Sequence, residues 1–340
     1  MNIFVSHQSA LAVLRAVRSD LGRDDSSIAF EKIKRFLNTS SHYQGAAAAT
    51  PGYSEKINKS HVSLARVVME ELLGDVEKRP IHLTISSCVS RCRSMDVVCH
   101  VVKQPEKSFI KICNDVYIST PEALFLQMAT CCSLWELIEL GYELCGTYSL
   151  GKEASADQIN AELNLDRRAT TVKHLISYLD RCGSVAGIRK AKTALRFILN
   201  NSASPMETAV AMMLFLSQHY GGYGLPLARM NCRVDIPVSC RTYARYRVCD
   251  FYWPQYKLAL EYDSDTFHKH DVQRGYDSIR RNDLFNSGVT VLSLTTKQFR
   301  QLELFDKQVR ALEKHIKHRR QRTPTGLKRK AELHRYLTRF

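Results

Sequence analysis

The sequence predicts a mixed α/β (α+β) chain of two domains, and three observations carry that reading. Its 340 residues exceed what one ordinary core needs. Segments of strand-like alternation and of helical periodicity follow one another in both halves. In the second half their order is αβββαβα, which calls for a mixed sheet flanked by helices.

The elements are taken in chain order. Asn2 to Val5 is a short apolar run with strand character, and "SALAVLRAVRSDL" carries Leu and Val at helical spacing behind a Ser9 cap. "SSHYQGAAAATPGYSEKINKS" has the composition of a surface loop, with order expected again from His61. "RPIHLTI", "MDVVCHVV" and "FIKICNDVYIST" alternate apolar and polar residues as three half-buried strands do. A single long helix is expected over "PEALFLQMATCCSLWELIELGYEL", with Thr120 or Ser119 as cap and Pro121 at its first position. Helical patterning continues through "ASADQINAELN" and "RRATTVKHLISYLDRCG". These segments make an α+β N-terminal domain over residues 1–195.

The second domain is expected over residues 200–315. "SPMETAVAMMLFLSQHY" reads as an apolar helix stopped by "GGYG", and "CRVDIPV", "YRVCDFYW" and "KLALEYD" read as three strands. "VQRGYDSIRRNDLFNSG" reads as a helix, "VTVLSLT" as a fourth strand, and a helix capped by Thr296 follows to about His315. Residues 316–340 form a basic tail, which Pro324 and Gly326 are expected to break.

Charge narrows the partner. A formal net charge of +15 suits a polyanion, and nucleic acid is the first candidate. Eleven cysteines are an odd count, and a reducing cytosol fits them best. No segment has the length and apolarity of a membrane span, so a soluble, cytoplasmic protein is expected. "CVSRC" with Cys99 nearby lacks the second pair or the histidine that a zinc site needs, and those thiols read as ordinary side chains.

The chemistry gathers in "LALEYDSDTFHKHD". Side chains two apart on a strand share a face about 7 Å apart, so Glu261 and Asp263 project together. A turn through Pro254 and Gln255 lets Asp250 of the preceding strand stand near Glu261. Carboxylates this close raise one another's pKa unless a cation neutralises them, and Mg²⁺ or Mn²⁺ is the fitting ion. Such a site suits phosphodiester hydrolysis. Each residue also has a plainer explanation: a capping box at Ser204 for Glu207, ion pairs with Arg247 or Lys257 for Asp250 and Glu261, a turn for Asp263, a solvated loop for His268 and His270.

Taken in order, Ser204 to Glu207, Asp250, "EYDSDTFH" from Glu261 to His268, then Asp277, Arg280 or Arg281, Leu284, Gly288 and Val291 resemble the PD-(D/E)xK restriction-endonuclease-like nucleases. The similarity is greatest to the branch related to very-short-patch repair endonucleases, the domain of unknown function 559 family, and it covers roughly residues 200–300. It implies a restriction-endonuclease-like core, a metal-dependent endonuclease acting on DNA, metal at Asp250 and Glu261, and catalytic roles for Glu207, Asp263 and His268. A biological setting of defence, repair or mobile-element maintenance would follow. Two departures stand out: Asp263 occupies the place of the family's lysine, and Ser264 replaces its glycine, with His268 displaced by one residue. A nuclease fold kept only for DNA binding or regulation is therefore the rival expectation. "VSHQSALAVLR", "STPEALFLQMA" and "YELCGTY" loosely resemble segments that precede such domains in actinobacterial proteins and the AbiEi-type antitoxin-like group, which implies a protein partner or a homodimer through this domain. Phosphate contacts are expected from Arg280, Arg281, Arg319, Arg320, Lys328, Arg329 and Lys330.

Overall fold

A computed structural model describes residues 2–19, 48–49, 56–73, 79–105, 107–113, 115–150, 168–240, 242, 244–263, 279, 281–318 and 323–339. The chain divides into two compact units, Met1–Asn200 and Asn201–Phe340. Both are mixtures of helix and sheet, and no helix among the described residues is long and apolar enough to cross a membrane.

In the first unit β1 (Ile3–Val5), β2 (Ala48–Ala49), β3 (Ile81–Ile85), β4 (Val97–Val101), β5 (Phe109–Cys113) and β6 (Val116–Ser119) form one mixed sheet in the order β2-β5-β6-β1-β3-β4. The run expected as one strand over "FIKICNDVYIST" is two, because the chain reverses at Asp115 and β5 pairs antiparallel with β6. Helices α1 (His7–Ser19), α2 (Lys59–Leu73), α3 (Pro121–Met128), α4 (Leu134–Cys145), α5 (Val172–Arg181) and α6 (Ile188–Leu195) complete the unit. The long helix expected from Pro121 is also two: Ser133 accepts the Glu136 N–H while the Glu136 carboxylate accepts the Ser133 N–H, and this capping box restarts the helix after a turn at 129–132. Ser9 does not cap α1, which begins two residues earlier. Its hydroxyl instead accepts the His82 N–H. The expected helix over "ASADQINAELN" and most of the expected loop at 40–60 lie outside the described residues.

Between α1 and the β3–β4 edge lie three histidines. The His7 and His100 rings stack with centroids 3.5 Å apart, and His82 Nδ1 lies 2.9 Å from His100 Nε2. Burial, reinforced by the neighbouring imidazoles, depresses His7 to about 3 and His100 to about 4, and burial lowers His82. His7 Nε2 is buried with no partner, so a proton there has no acceptor to receive it.

The second unit carries β7 (Arg229–Asp235), β8 (Tyr246–Trp253), β9 (Leu258–Asp263) and β10 (Thr290–Thr295) in the order β10-β9-β8-β7, with β7–β8 and β8–β9 antiparallel and β9–β10 parallel. Helix α7 (Pro205–Phe215) is buried from Glu207 to Phe215 and packs Phe215 edge-on against Phe251 and Trp253. On the opposite face Val234, Ile236, Cys249, Ala259, Leu284 and Val289 cluster, with Tyr252 and Val291 against them. Residues 281–286 are helical and supply Leu284 to that cluster. The last helix expected from a Thr296 cap to about His315 is two, α8 (Thr296–Arg300) and α9 (Leu302–His315), parted at Gln301, whose backbone is extended; the cap is Thr295, whose hydroxyl accepts the Gln298 N–H.

The basic tail is not broken at Pro324 and Gly326. It forms helix α10 (Pro324–Leu337), with Thr323 as N-cap, Pro324 at the first position and the Gly326 N–H donated to the Thr323 hydroxyl. Proline costs nothing there because the first N–H groups of a helix have no intrahelical acceptor.

The histidine cluster makes the stability of the first unit depend on pH. Each imidazole binds its proton less readily in the folded than in the unfolded state, where the ordinary value is 6.5. Stability is therefore complete above about pH 6.5 and is lost as pH falls towards the folded values. The expected result is a first-unit melting temperature that is flat from pH 7 to 8 and declines below 6.5. His82→Gln/His100→Gln should show a shallower decline; equal slopes by calorimetry would remove these histidines as the cause.

Candidate metal and phosphate site

Helix α7 begins where Ser204 accepts the Glu207 N–H at 3.1 Å, so the cap expected from "SPME" is present. The Glu207 carboxylate does more than cap. Its Oε2 accepts from the Ala203 N–H at 2.9 Å and from the Asn231 amide, and its Oε1 accepts from the Ser204 hydroxyl at 3.2 Å. Only 8% of the residue is exposed. Burial, with the Asp250 charge added to it, pushes Glu207 up to about 8 in spite of those donors. Near neutral pH Glu207 thus holds a proton, unless a cation takes the proton's place.

Asp250 lies at the centre of the sheet. The β7–β8 register pairs Met230 with Phe251 and Cys232 with Cys249, so Asn231 stands across from Asp250. The β8–β9 register pairs Phe251 with Leu260, and one step further sets Glu261 across from Asp250 on the other side. Pairing with β9 stops there, and Asp250 Oδ2 accepts the Tyr262 N–H at 2.7 Å, a side chain doing the work of a ladder carbonyl. Strict alternation would put Cys249 and Tyr252 on opposite faces, yet both meet the same apolar cluster. The alternation is therefore interrupted at Asp250 and Phe251. Asn231, alongside, has a φ of 42° in the left-handed region that asparagine tolerates better than most residues.

Glu261 and Asp263 share a face of β9 by alternation, and their partners on β10 are Ser293 and Thr295. Glu261 is half-buried, and its charge adds to the burial that raises the Cys232 thiol on β7. Arg281 donates to the Ser293 hydroxyl at 3.0 Å, which places an exposed guanidinium beside the strand position that pairs with Glu261. Arg247, one expected ion-pair partner for the acids, is engaged elsewhere. It makes two bonds to Asp283, at 3.0 and 2.5 Å, and Thr242 adds two more at 2.9 Å. Burial works to raise Asp283, but the Arg247 guanidinium and Thr242 outweigh it and hold the carboxyl below its ordinary value.

The remaining expected residues are distributed as follows. His268, Arg280, Arg319 and Arg320, with Asp277 and His270, lie outside the described residues. Lys328 is exposed on α10. Arg329 donates to the His219 carbonyl at 2.6 Å. Lys330, expected among the phosphate contacts, is 7% exposed and donates to Asp306 at 2.7 Å, over the Tyr223 ring. Its ammonium is satisfied inside the protein and is not offered to a backbone phosphate. Asn231 and Asp283 had no signal in the sequence, since an amide within an alternating strand and an acid within a helix are ordinary.

The donor set suits a hard cation only in part. Among the described residues no three His, Cys, Asp or Glu side chains stand close enough together to hold a metal ion. Mg²⁺ is commonly held by one or two protein carboxylates with substrate phosphate and water completing its shell. Asp250 with Glu261 across the ladder fits that smaller requirement. No family model, curated protein or solved structure matches the chain.

Glu207 also sets a pH dependence opposite to that of the histidines. The unfolded chain releases its proton near the ordinary value of 4.5, the folded chain only at about 8. Stability from this group is complete below the first value and lost as pH rises through the second, by on the order of a few kcal/mol. Glu207→Gln should therefore melt several degrees above the parent at pH 9 in metal-free buffer and lose that advantage at pH 5. A difference independent of pH would show that Glu207 does not titrate as described.

Proposed function

We propose that the second unit is a metal-dependent DNA endonuclease of the restriction-endonuclease-like fold. The observation that carries this reading is the pair of Glu207 and Asp250, the first buried and felt by the charge of the second. The αβββαβ element order and the mixed sheet agree with that fold. Asp250 and Glu261 would hold Mg²⁺ or Mn²⁺, which when bound supplies a Lewis acid and an activated water for phosphodiester hydrolysis.

The chain's own residues would divide the remaining tasks. Arg281, beside Ser293, would bind a phosphate oxygen of the strand to be cut. Glu207, which holds a proton to about pH 8, would deliver one to a leaving oxygen or orient water. Asn231, whose amide donates to the Glu207 carboxyl, would hold that group in place. Asp263 extends the acidic face where the family's lysine would stand, and His268 would assist proton transfer. The exposed Lys328, with Arg280, Arg319 and Arg320, would add sequence-independent contacts to backbone phosphates.

A second reading is favoured by Asp263 in place of lysine: a nuclease fold that binds DNA without cutting it, in a regulatory or antitoxin-like role. Purified protein would be incubated with supercoiled and single-stranded DNA in Mg²⁺, Mn²⁺ or EDTA, beside Asp250→Ala/Glu261→Ala. Cleavage that needs metal and falls at least about a hundredfold in the double variant is expected. Salt-sensitive binding by both proteins without cleavage would instead establish the second reading. Calorimetry adds an independent readout: Mg²⁺ should raise the melting temperature of the parent more at pH 8 than at pH 6, and that of the double variant at neither.

A further inference from the structure

The turn between α3 and α4 presents Cys131 and Cys132 side by side at the surface of the first unit. Among the described cysteines only Cys131 and Cys88 are exposed, and Cys132 is partly so. The pair immediately precedes Ser133, the N-cap of the 12-residue helix α4, whose first N–H groups make that end electropositive. Lys190 of α6 reaches across and donates to the Cys132 carbonyl at 2.6 Å, fixing an ammonium next to the two sulfurs. As a thiol, Cys131 leans on the Met128 carbonyl at 3.5 Å.

We propose that Cys131 is a site of reversible modification by small-molecule disulfides, with Cys132 and Lys190 as the groups that activate it. As a thiolate, Cys131 accepts a hydrogen bond from the Cys132 thiol. That bond, with help from Lys190 and against the cost of burial, brings Cys131 down to about 7, while Cys132 is pushed up. Cys131 gives its proton to solvent and its sulfur attacks one sulfur of the disulfide. A new S–S bond forms as the old one breaks, and the electron pair leaves with the second half, which takes a proton from water. Cys131 is oxidised to the mixed disulfide and the leaving half is reduced to a thiol.

Ring closure with Cys132 is not the outcome. Neighbouring Cα atoms are about 3.8 Å apart, short of the roughly 4.4 Å at which unstrained disulfides begin. Cys132 therefore acts as a donor to the Cys131 thiolate, and the adduct persists until a free thiol reverses it. Cys145, buried in the same helix and raised by that burial, is closed to this chemistry.

The test is to incubate the full chain with glutathione disulfide from pH 5 to 10, follow adducts by intact mass and locate them by peptide mapping. The first adduct should fall on Cys131 with a rate midpoint near pH 7. At pH 7 its rate should exceed that of an ordinary exposed thiol by about fivefold, since the greater thiolate fraction is partly offset by lower intrinsic nucleophilicity. Cys132→Ala, which removes the donor, should move the midpoint upward and lower the pH 7 rate, whereas Cys132→Ser, whose hydroxyl still donates, should leave both near the parent values; Lys190→Met should act in the direction of Cys132→Ala to a smaller degree. A first adduct on Cys88, or a Cys131 midpoint in the ordinary thiol range, would overturn the proposal without any variant being needed.

Discussion

A carboxyl group buried at the start of an apolar helix, beside a second carboxylate, is the constraint on which the second unit is organised. Glu207 cannot ionise there cheaply: burial opposes it and Asp250 opposes it further. Three donors, from Ala203, Ser204 and Asn231, answer the carboxyl without cancelling its burial. The Asn231 amide reaches Glu207 from the strand next to Asp250. Asp250 turns its own oxygen to the Tyr262 N–H, at the point where β8 and β9 stop pairing.

The face of the sheet away from α7 is held by a different kind of interaction. Asp283 is wholly buried, and such an acid is tolerated only because Arg247 and Thr242 saturate it. That network ties residues 281–286 to β8, and Leu284 beside it enters the apolar cluster. Arg281 consequently has a fixed footing over Ser293. An interior ion pair and an exterior guanidinium thus come from opposite sides of one helical turn, and the first sets the place of the second.

Strands of the second unit were legible because each alternates or runs apolar for six to eight residues, and α7 because it opens on the Ser204 cap; α8 is capped by Thr295, one residue before the Thr296 expected, and α9 opens on no side-chain cap. Register was legible where a short turn fixes it: from Pro254 and Gln255 alone, Asp250 is set near Glu261. Local capping chemistry defeated the periodicity elsewhere. "MATCCSLWE" keeps an apolar repeat through the turn, and only the Ser133–Glu136 box marks the break. Pro324 was misread because proline is equally at home in a linker and at the first position of a helix. The Asn231 amide and the stacked histidines could not be foreseen, since each depends on contacts between residues far apart in the chain.

Net charge proved a coarser guide than the pattern. Of the basic residues in the second unit, Arg247 is paired with the buried Asp283 and Lys330 with the partly buried Asp306, pairs already cancelled in the net +15, and Arg329 donates to a carbonyl, so the total says nothing of where its cations stand. What matters for a phosphate is where a cation is left exposed beside the acids, and Arg281 meets that condition. An acidic pair that repels a phosphate and a guanidinium that attracts one are useful together only if a further positive charge stands between them. A proton on Glu207 supplies half of that need at neutral pH, because it removes one negative charge from the pair. A divalent cation, if Asp250 and Glu261 hold one as proposed, would supply the rest, and by displacing or retaining the Glu207 proton it would couple the proposed DNA binding to both pH and metal.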